Sequence, residues 1–208
     1  MQIQLTNTGK RFNKEWIFKC CTYTFKAGNG YAITGPNGSG KSTLLQTIAG
    51  AITPSEGSIA YSLSYGTTIP EEHIHKQLSI AAPYLELVEE LTATEMLEFH
   101  AAFKPLLKGF SIAEILEIVG LEKAANKQIR FYSSGMKQRI KLAQAIFSDV
   151  PVLLLDEPCT NLDSTGYALY NQLIKDYAAE KLVIVCSNDV QEYSFCTEKL
   201  SIADYKKV

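Results

Sequence analysis

The stretch Gly35-Pro36-Asn37-Gly38-Ser39-Gly40-Lys41-Ser42-Thr43 decides the fold. Its spacing is Gly-x4-Gly-Lys-Ser, and the chemistry of a triphosphate accounts for each residue type. So dense an anion must be met by backbone N–H groups at close range, which glycine permits. Lys41 supplies a mobile positive charge for the outer phosphates, and Ser42 supplies a hydroxyl for a divalent cation. Tyr31 and Ile33 alternate into the loop as a strand. Leu44, Leu45, Ile48 and Ala49 lead out of it as a helix, with Gly50 placed as its C-terminal cap. A helix that starts here aims its N-terminal dipole at the phosphates.

Working outward, the run Val152-Leu153-Leu154-Leu155 has no polar alternation, so it reads as a strand covered on both faces. It ends in Asp156 and Glu157. Beside a phosphate loop, Asp156 can hold the cation and Glu157 can orient and deprotonate a water. Leu182-Val183-Ile184-Val185-Cys186 is a second buried strand, and Leu169 to Ala179 reads as a helix between the two. Buried strands alternating with helices imply a parallel α/β core. Ligands then bind at the carboxyl ends of its strands. Upstream, Ile3 and Leu5, then Tyr23 and Phe25, alternate as strands, and Ala27-Gly28-Asn29-Gly30 is a turn.

The middle of the chain, residues 84–150, reads as an inserted helical region. Thr92 and Glu95 have capping-box spacing, flanked by Leu91 and Met96 as a hydrophobic staple. Ser111 and Glu114, flanked by Phe110 and Ile115, repeat both devices, and that helix stops near Gly120. A third helix starts near Ser134 and carries Ile140, Leu142, Ala143, Ile146 and Phe147. Before it stands Tyr132-Ser133-Ser134-Gly135-Met136-Lys137-Gln138-Arg139. Taken alone, this is either a second anion site at a helix start or an ordinary serine cap.

The bulk numbers narrow the function classes. The 208 residues are enough for one domain with a subdomain. A net charge of −2 supplies no basic field for a nucleic-acid backbone. The five cysteines form no Cys-x-x-Cys pair, which argues against a zinc or thioredoxin-type site. Adjacent Cys20 and Cys21 are poorly placed to bridge, so buried reduced thiols of a cytosolic protein are expected. The first residues lack the pattern of a signal peptide. No run approaches the ~20 apolar residues that span a bilayer.

Taken together, the phosphate loop, the strand ending in Asp156-Glu157 and the segment Tyr132–Arg139 resemble the nucleotide-binding domain of ABC (ATP-binding cassette) transporters. Their order, their separations and the helical insert all agree, and the resemblance covers essentially residues 1–208 as a single domain. It implies a P-loop NTPase core of the α/β class with a mostly parallel sheet. An N-terminal antiparallel β subdomain and an inserted α-helical subdomain would complete it. It implies ATP and Mg²⁺ as ligands. Gly35, Pro36, Asn37, Gly38, Ser39, Gly40, Lys41, Ser42 and Thr43 would hold the phosphates, Ser42 and Asp156 the metal, and Glu157 would be the general base with Lys41 assisting. Ser133, Ser134 and Gly135 resemble the family signature, and Thr160-Asn161-Leu162-Asp163 its D-loop. Phe12 falls where the family stacks an aromatic on adenine, although a place in the core would equally explain it. The partners implied are a second cassette, as a head-to-tail homodimer, and a separate transmembrane subunit, with the chain on the cytoplasmic face of the membrane.

The sequence departs from the family in three places. Where a glutamine is usual, Ala81-Ala82-Pro83-Tyr84-Leu85-Glu86 has none: Pro83 takes the position, and Glu86 reads as a surface residue. Asn188 replaces the switch histidine, which predicts slower hydrolysis, since an amide can donate to a γ-phosphate but cannot carry a proton. Tyr132, Ser134 and Met136 replace the signature's Leu, Gly and Gln, while Ser133 and Gly135, which carry the phosphate contact in the family, are kept. A soluble ABC ATPase and a weakly hydrolysing ATP-gated clamp are the alternative functions.

Overall fold

The computed structural model describes residues 1–63 and 66–206. Two sheets organise it. The first is antiparallel and four-stranded, in the order β2-β1-β4-β5, from β1 (Gln2–Phe12), β2 (Glu15–Lys26), β4 (Glu56–Ser62) and β5 (Thr68–Ile69). The second is parallel and five-stranded, in the order β6-β7-β8-β3-β9. Its strands are β3 (Gly30–Thr34), β6 (Leu78–Ala81), β7 (Val152–Asp156), β8 (Leu182–Cys186) and β9 (Glu198–Ser201). Among the described residues five α-helices complete the fold: α1 (Lys41–Ile48), α2 (Ala93–Phe103), α3 (Ile112–Ile118), α4 (Ser134–Ile146) and α5 (Ser164–Tyr177).

The unbroken apolar run of β7 is explained by what covers it. Val152 and Leu154 join a core made with the antiparallel sheet and α1, where Ile3, Leu5, Phe25 and Leu44 are fully buried. Leu153 and Leu155 point the other way, into a core filled from α4 and α5 by Ile140, Ala143, Tyr170 and Leu173. A strand alternates its side chains between two faces, so a strand buried on both sides has no polar position to offer. Strand β8 divides in the same way, with Ile184 in the first core and Val183 and Val185 in the second.

The helical middle forms for the local reasons legible in its sequence. Thr92 and Ser111 each accept a hydrogen bond from the backbone of the glutamate three residues on. Glu95 and Glu114 each reach back to the cap backbone at 2.8 Å. Gly50 closes α1 as expected: its N–H donates to Thr47, and that of Ala51 to Gln46. Helix α5 differs from its sequence reading. It begins at Ser164, five residues before Leu169, because Asp163 accepts from Gly166 N at 2.8 Å and from the Thr165 hydroxyl at 2.7 Å. A good cap thus offsets three residues of modest helix propensity.

The five cysteines are free thiols. Cys20 is exposed and Cys21 buried. Cys20 takes a left-handed conformation, φ 56, where the register of β2 against β1 shifts, which lets both Phe18 and Cys21 face the core.

Candidate functional site

The parallel sheet brings three loop starts to one edge. Strand β3 delivers the phosphate loop, β7 delivers Asp156 and Glu157, and β8 delivers Ser187 and Asn188. Register fixes their proximity: Asp156 lies opposite Cys186, and Ile33 is paired with Cys186 on the other side. Two further bonds lock the edge, Ser187 N–H to Ile33 O at 3.2 Å and Glu157 N–H to Cys186 O at 2.9 Å.

Two glycines of the loop are required by geometry. Gly35 has φ 149, and a Cβ there would sit 2.5 Å from Ile202 Cγ2. Gly40 has φ 105, and a Cβ there would sit 2.4 Å from Ile17 Cγ2. Any side chain would push the loop off the sheet or off Ile17. Helix α1 then starts at Lys41 with no side-chain cap and no acidic residue in its first turn, which leaves its N–H groups and dipole for an anion. Lys41 is only 5% exposed, and its Nζ donates to the carbonyls of Gly35 at 2.7 Å and Pro36 at 3.2 Å. Asn37, Gly38, Ser39, Gly40, Lys41, Ser42 and Thr43 line a 220 Å³ cavity together with Ile17 and Glu157. Larger cavities exist, including one of 880 Å³ between Leu107 and Lys181, but they contain none of these groups.

Asp156 is 2% exposed, and its Oδ1 has no hydrogen-bond partner among the described residues. Burial raises its pKa, a hydrogen bond from Ser42 opposes the rise, Glu157 adds to it, and Lys41 opposes it. A buried anionic oxygen without a donor, beside a serine hydroxyl, suits a hard divalent cation. Glu157 takes a left-handed conformation, φ 43, uncommon for a residue with a side chain. Asn188 is exposed and donates through Nδ2 to Asn37 Oδ1 at 2.8 Å, tying the end of β8 to the phosphate loop.

The segment that lacks a glutamine is held to α4, where Lys141 Nζ donates to Pro83 O at 3.0 Å. Burial pushes the Tyr84 phenol up to about 12, against a hydrogen bond with Gln46, and the charge of Asp156 adds to the rise. Tyr84 therefore stands within the field of Asp156. Glu86 is exposed. Phe12 is 48% exposed near the end of the first hairpin, so it is no core residue, and Lys10 lies over its ring at 5.2 Å. Ile17, from the next strand, is what packs on the phosphate loop.

Ser133, Ser134 and Gly135 lie apart from this cavity. They line a second one, of 470 Å³, with Met136, Arg139, Asn161 and Asp163. Ser133 caps α4, accepting from Met136 N at 3.3 Å, as the serine-cap reading of this helix start expects. Tyr132 is accommodated by burial and by its hydroxyl bond to Ala124 O at 2.6 Å. The two cavities share no residue, so one copy of the chain does not bring its serines to its own phosphate loop.

Comparison with known proteins gives this arrangement its family. A family model described as ABC transporter matches residues 18–160. The uncharacterized ABC transporter ATP-binding protein YybJ of Bacillus subtilis is 31% identical over 91% of this chain and 86% of its own length. The linearmycin resistance ATP-binding protein LnrL of the same organism is 30% identical over 97% of this chain, which spans 66% of it. The bacterial ABC transporter cassette MJ0796, solved as a dimer, matches with a TM-score of 0.80 and 26% identity over 96% of this chain and 94% of its own. It has also been solved in a post-hydrolysis state bound to ADP and Pi, at TM-score 0.80 and 25% identity over 96% of this chain and 93% of its own. With a phosphate loop, an acidic pair and a signature helix on a cassette fold, this chain belongs to the ABC transporter family as one of its ATP-binding cassettes.

Proposed function

We propose that the chain binds and hydrolyses ATP as one of two identical cassettes closed head to tail, and that closure drives a separate membrane-spanning partner from the cytoplasmic side. The observation that carries this reading is the division of the site. Phosphate loop, Asp156, Glu157 and Asn188 share one edge of the sheet, while Ser133–Gly135 line another cavity on the same chain. A second copy, turned around, supplies the missing half. The helical region 84–150 is the inserted unit that presents those serines. Among the described residues no helix is long and apolar enough to cross a membrane, which supports a separate spanning partner.

In this reading Lys41 exchanges its two loop carbonyls for phosphate oxygens, a stronger charge-assisted pairing. The N–H groups at the start of α1 receive the remaining phosphate charge. Ser42 and Asp156 would hold Mg²⁺, which when bound neutralises charge on the phosphates. Glu157 takes a proton from water as the water oxygen attacks the γ-phosphorus and ADP departs. Asn188 releases Asn37 and donates its amide to the γ-phosphate. Phe12, exposed on the hairpin, is available to stack on adenine.

The test is steady-state hydrolysis of Mg²⁺-ATP by the wild type against Glu157→Gln. A fall of about 10²-fold or more supports the base assignment. Equal rates favour the ATP-gated clamp, a reading that Asn188 keeps in view because its amide carries no proton. Co-purification from detergent-solubilised membranes tests the partner: a stoichiometric multi-span protein is expected, and recovery with ribosomes or alone contradicts the transporter role.

A further inference from the structure

The turn after β7 consists of Glu157, Pro158 and Cys159, and a different part of the fold grips each. Glu157 N–H donates to Cys186 O at the end of β8. Pro158 O accepts from Gln138 Nε2 of α4 at 2.6 Å. Cys159 N–H donates to Glu192 Oε1 at 2.7 Å. Glu192 lies on the 3₁₀ turn Val190–Glu192, four residues beyond Asn188, and is 3% exposed. Its backbone is fixed too, since its carbonyl accepts from the buried Tyr170 hydroxyl at 2.8 Å. A buried carboxylate is costly unless its oxygens are bonded. Burial pushes its pKa up, with Asp189 and Glu157 adding to the rise. Hydrogen bonds from Ser187 and from Cys159 N–H oppose it. An apolar side chain would fill the same space without that cost, but it would leave Cys159 N–H buried and unpaired.

We propose that Glu192 is a positioning residue for hydrolysis. Its carboxylate oxygen, through Cys159 N–H, holds the turn in the conformation that faces Glu157 toward the phosphate loop. The inference rests on the reading of Glu157 as the base. Glu157 sits at φ 43, a backbone conformation that persists only where its surroundings over-determine it. Freeing Cys159 removes one of three restraints on a strained residue, and the base swings while the phosphate cradle, built on β3 and α1, stays in place. The effect therefore falls on turnover and leaves ATP affinity alone.

The experiment compares Glu192→Gln, Glu192→Asp and Glu192→Ala in the full chain, measuring kcat, KM, affinity for a fluorescent ATP analogue and melting temperature. Glutamine keeps the length and an oxygen that accepts from Cys159 N–H. Aspartate keeps the charge but falls a methylene short. Glu192→Asp and Glu192→Ala are expected to lose kcat by at least about tenfold, the scale of a misplaced catalytic group. Their KM and analogue affinity stay within about twofold, and Glu192→Gln keeps kcat within about threefold. Aspartate as active as glutamine, glutamine as poor as alanine, or losses of kcat and affinity in parallel would each overturn the proposal. If Glu192→Ala does not fold, the Gln and Asp pair still decides it. Should Glu157→Gln turn over at the wild-type rate, the base assignment itself fails, whatever the Glu192 series does, and this inference goes with it.

Discussion

Asn188 stands where the family resemblance leads one to expect a histidine, and the structure gives it a definite partner in Asn37. An amide there can bind the loop or a phosphate, but it cannot shuttle a proton or place a positive charge. Asn188→His is therefore expected to raise kcat. An unchanged or lower turnover, measured under saturating ATP, would contradict that. Lys41→Ala should weaken ATP binding by about 10- to 100-fold, the worth of a charge-assisted hydrogen bond, and equilibrium titration with a fluorescent analogue reads it directly. Residues of this kind were legible in the sequence because loop chemistry demands fixed types at fixed spacing. Ile17 and Glu192 were not. Ile17 is one more apolar residue of an alternating strand, and its contact with Gly40 is made across the fold. Glu192 meets Cys159 from 33 positions away, and nothing local marks a buried glutamate.

The secondary structure shows where local reading succeeds and where it stops. Capping boxes at Thr92 and Ser111, the glycine after α1 and the double-sided run of β7 were legible because each is a short-range pattern with one physical cause. The start of α5 was not. Ser164, Thr165 and Gly166 look like loop until Asp163 is seen capping them. Leu154, fully buried at the centre of β7, has no room to be shortened. Leu154→Ala should cost about 2–5 kcal/mol in denaturant unfolding. Helix α2 carries a pH-dependent contact, where His100 Nε2 meets the Ser148 hydroxyl at 2.9 Å. Burial first and the Lys104 charge second push its pKa from 6.5 down to about 4, against a backbone hydrogen bond at Gln144. The folded state thus holds it neutral where the unfolded chain binds a proton. Stability from this group is complete above pH 6.5 and is lost as pH falls toward 4. The melting temperature should drop across that window, and His100→Gln should flatten the drop.

The molecule as a whole is half of a machine. In the proposed reading its sheet gathers the groups that hold and attack a phosphate, yet it carries Ser133–Gly135 in a cavity that shares nothing with that site. The bond between Gln138 and Pro158 O joins the two regions, since α4 begins at the signature and grips the turn that bears Glu157. Nucleotide closing on the serines of one copy would thus reach the base of the same copy, which serves the other nucleotide. This coupling has meaning only if two copies meet around ATP. Sedimentation velocity of Glu157→Gln, which should bind ATP without consuming it, tests that most directly. A dimer with Mg²⁺-ATP that reverts to monomer with Mg²⁺-ADP is the predicted result. A monomer under both conditions, at concentrations where ATP is bound, would contradict the paired cassette.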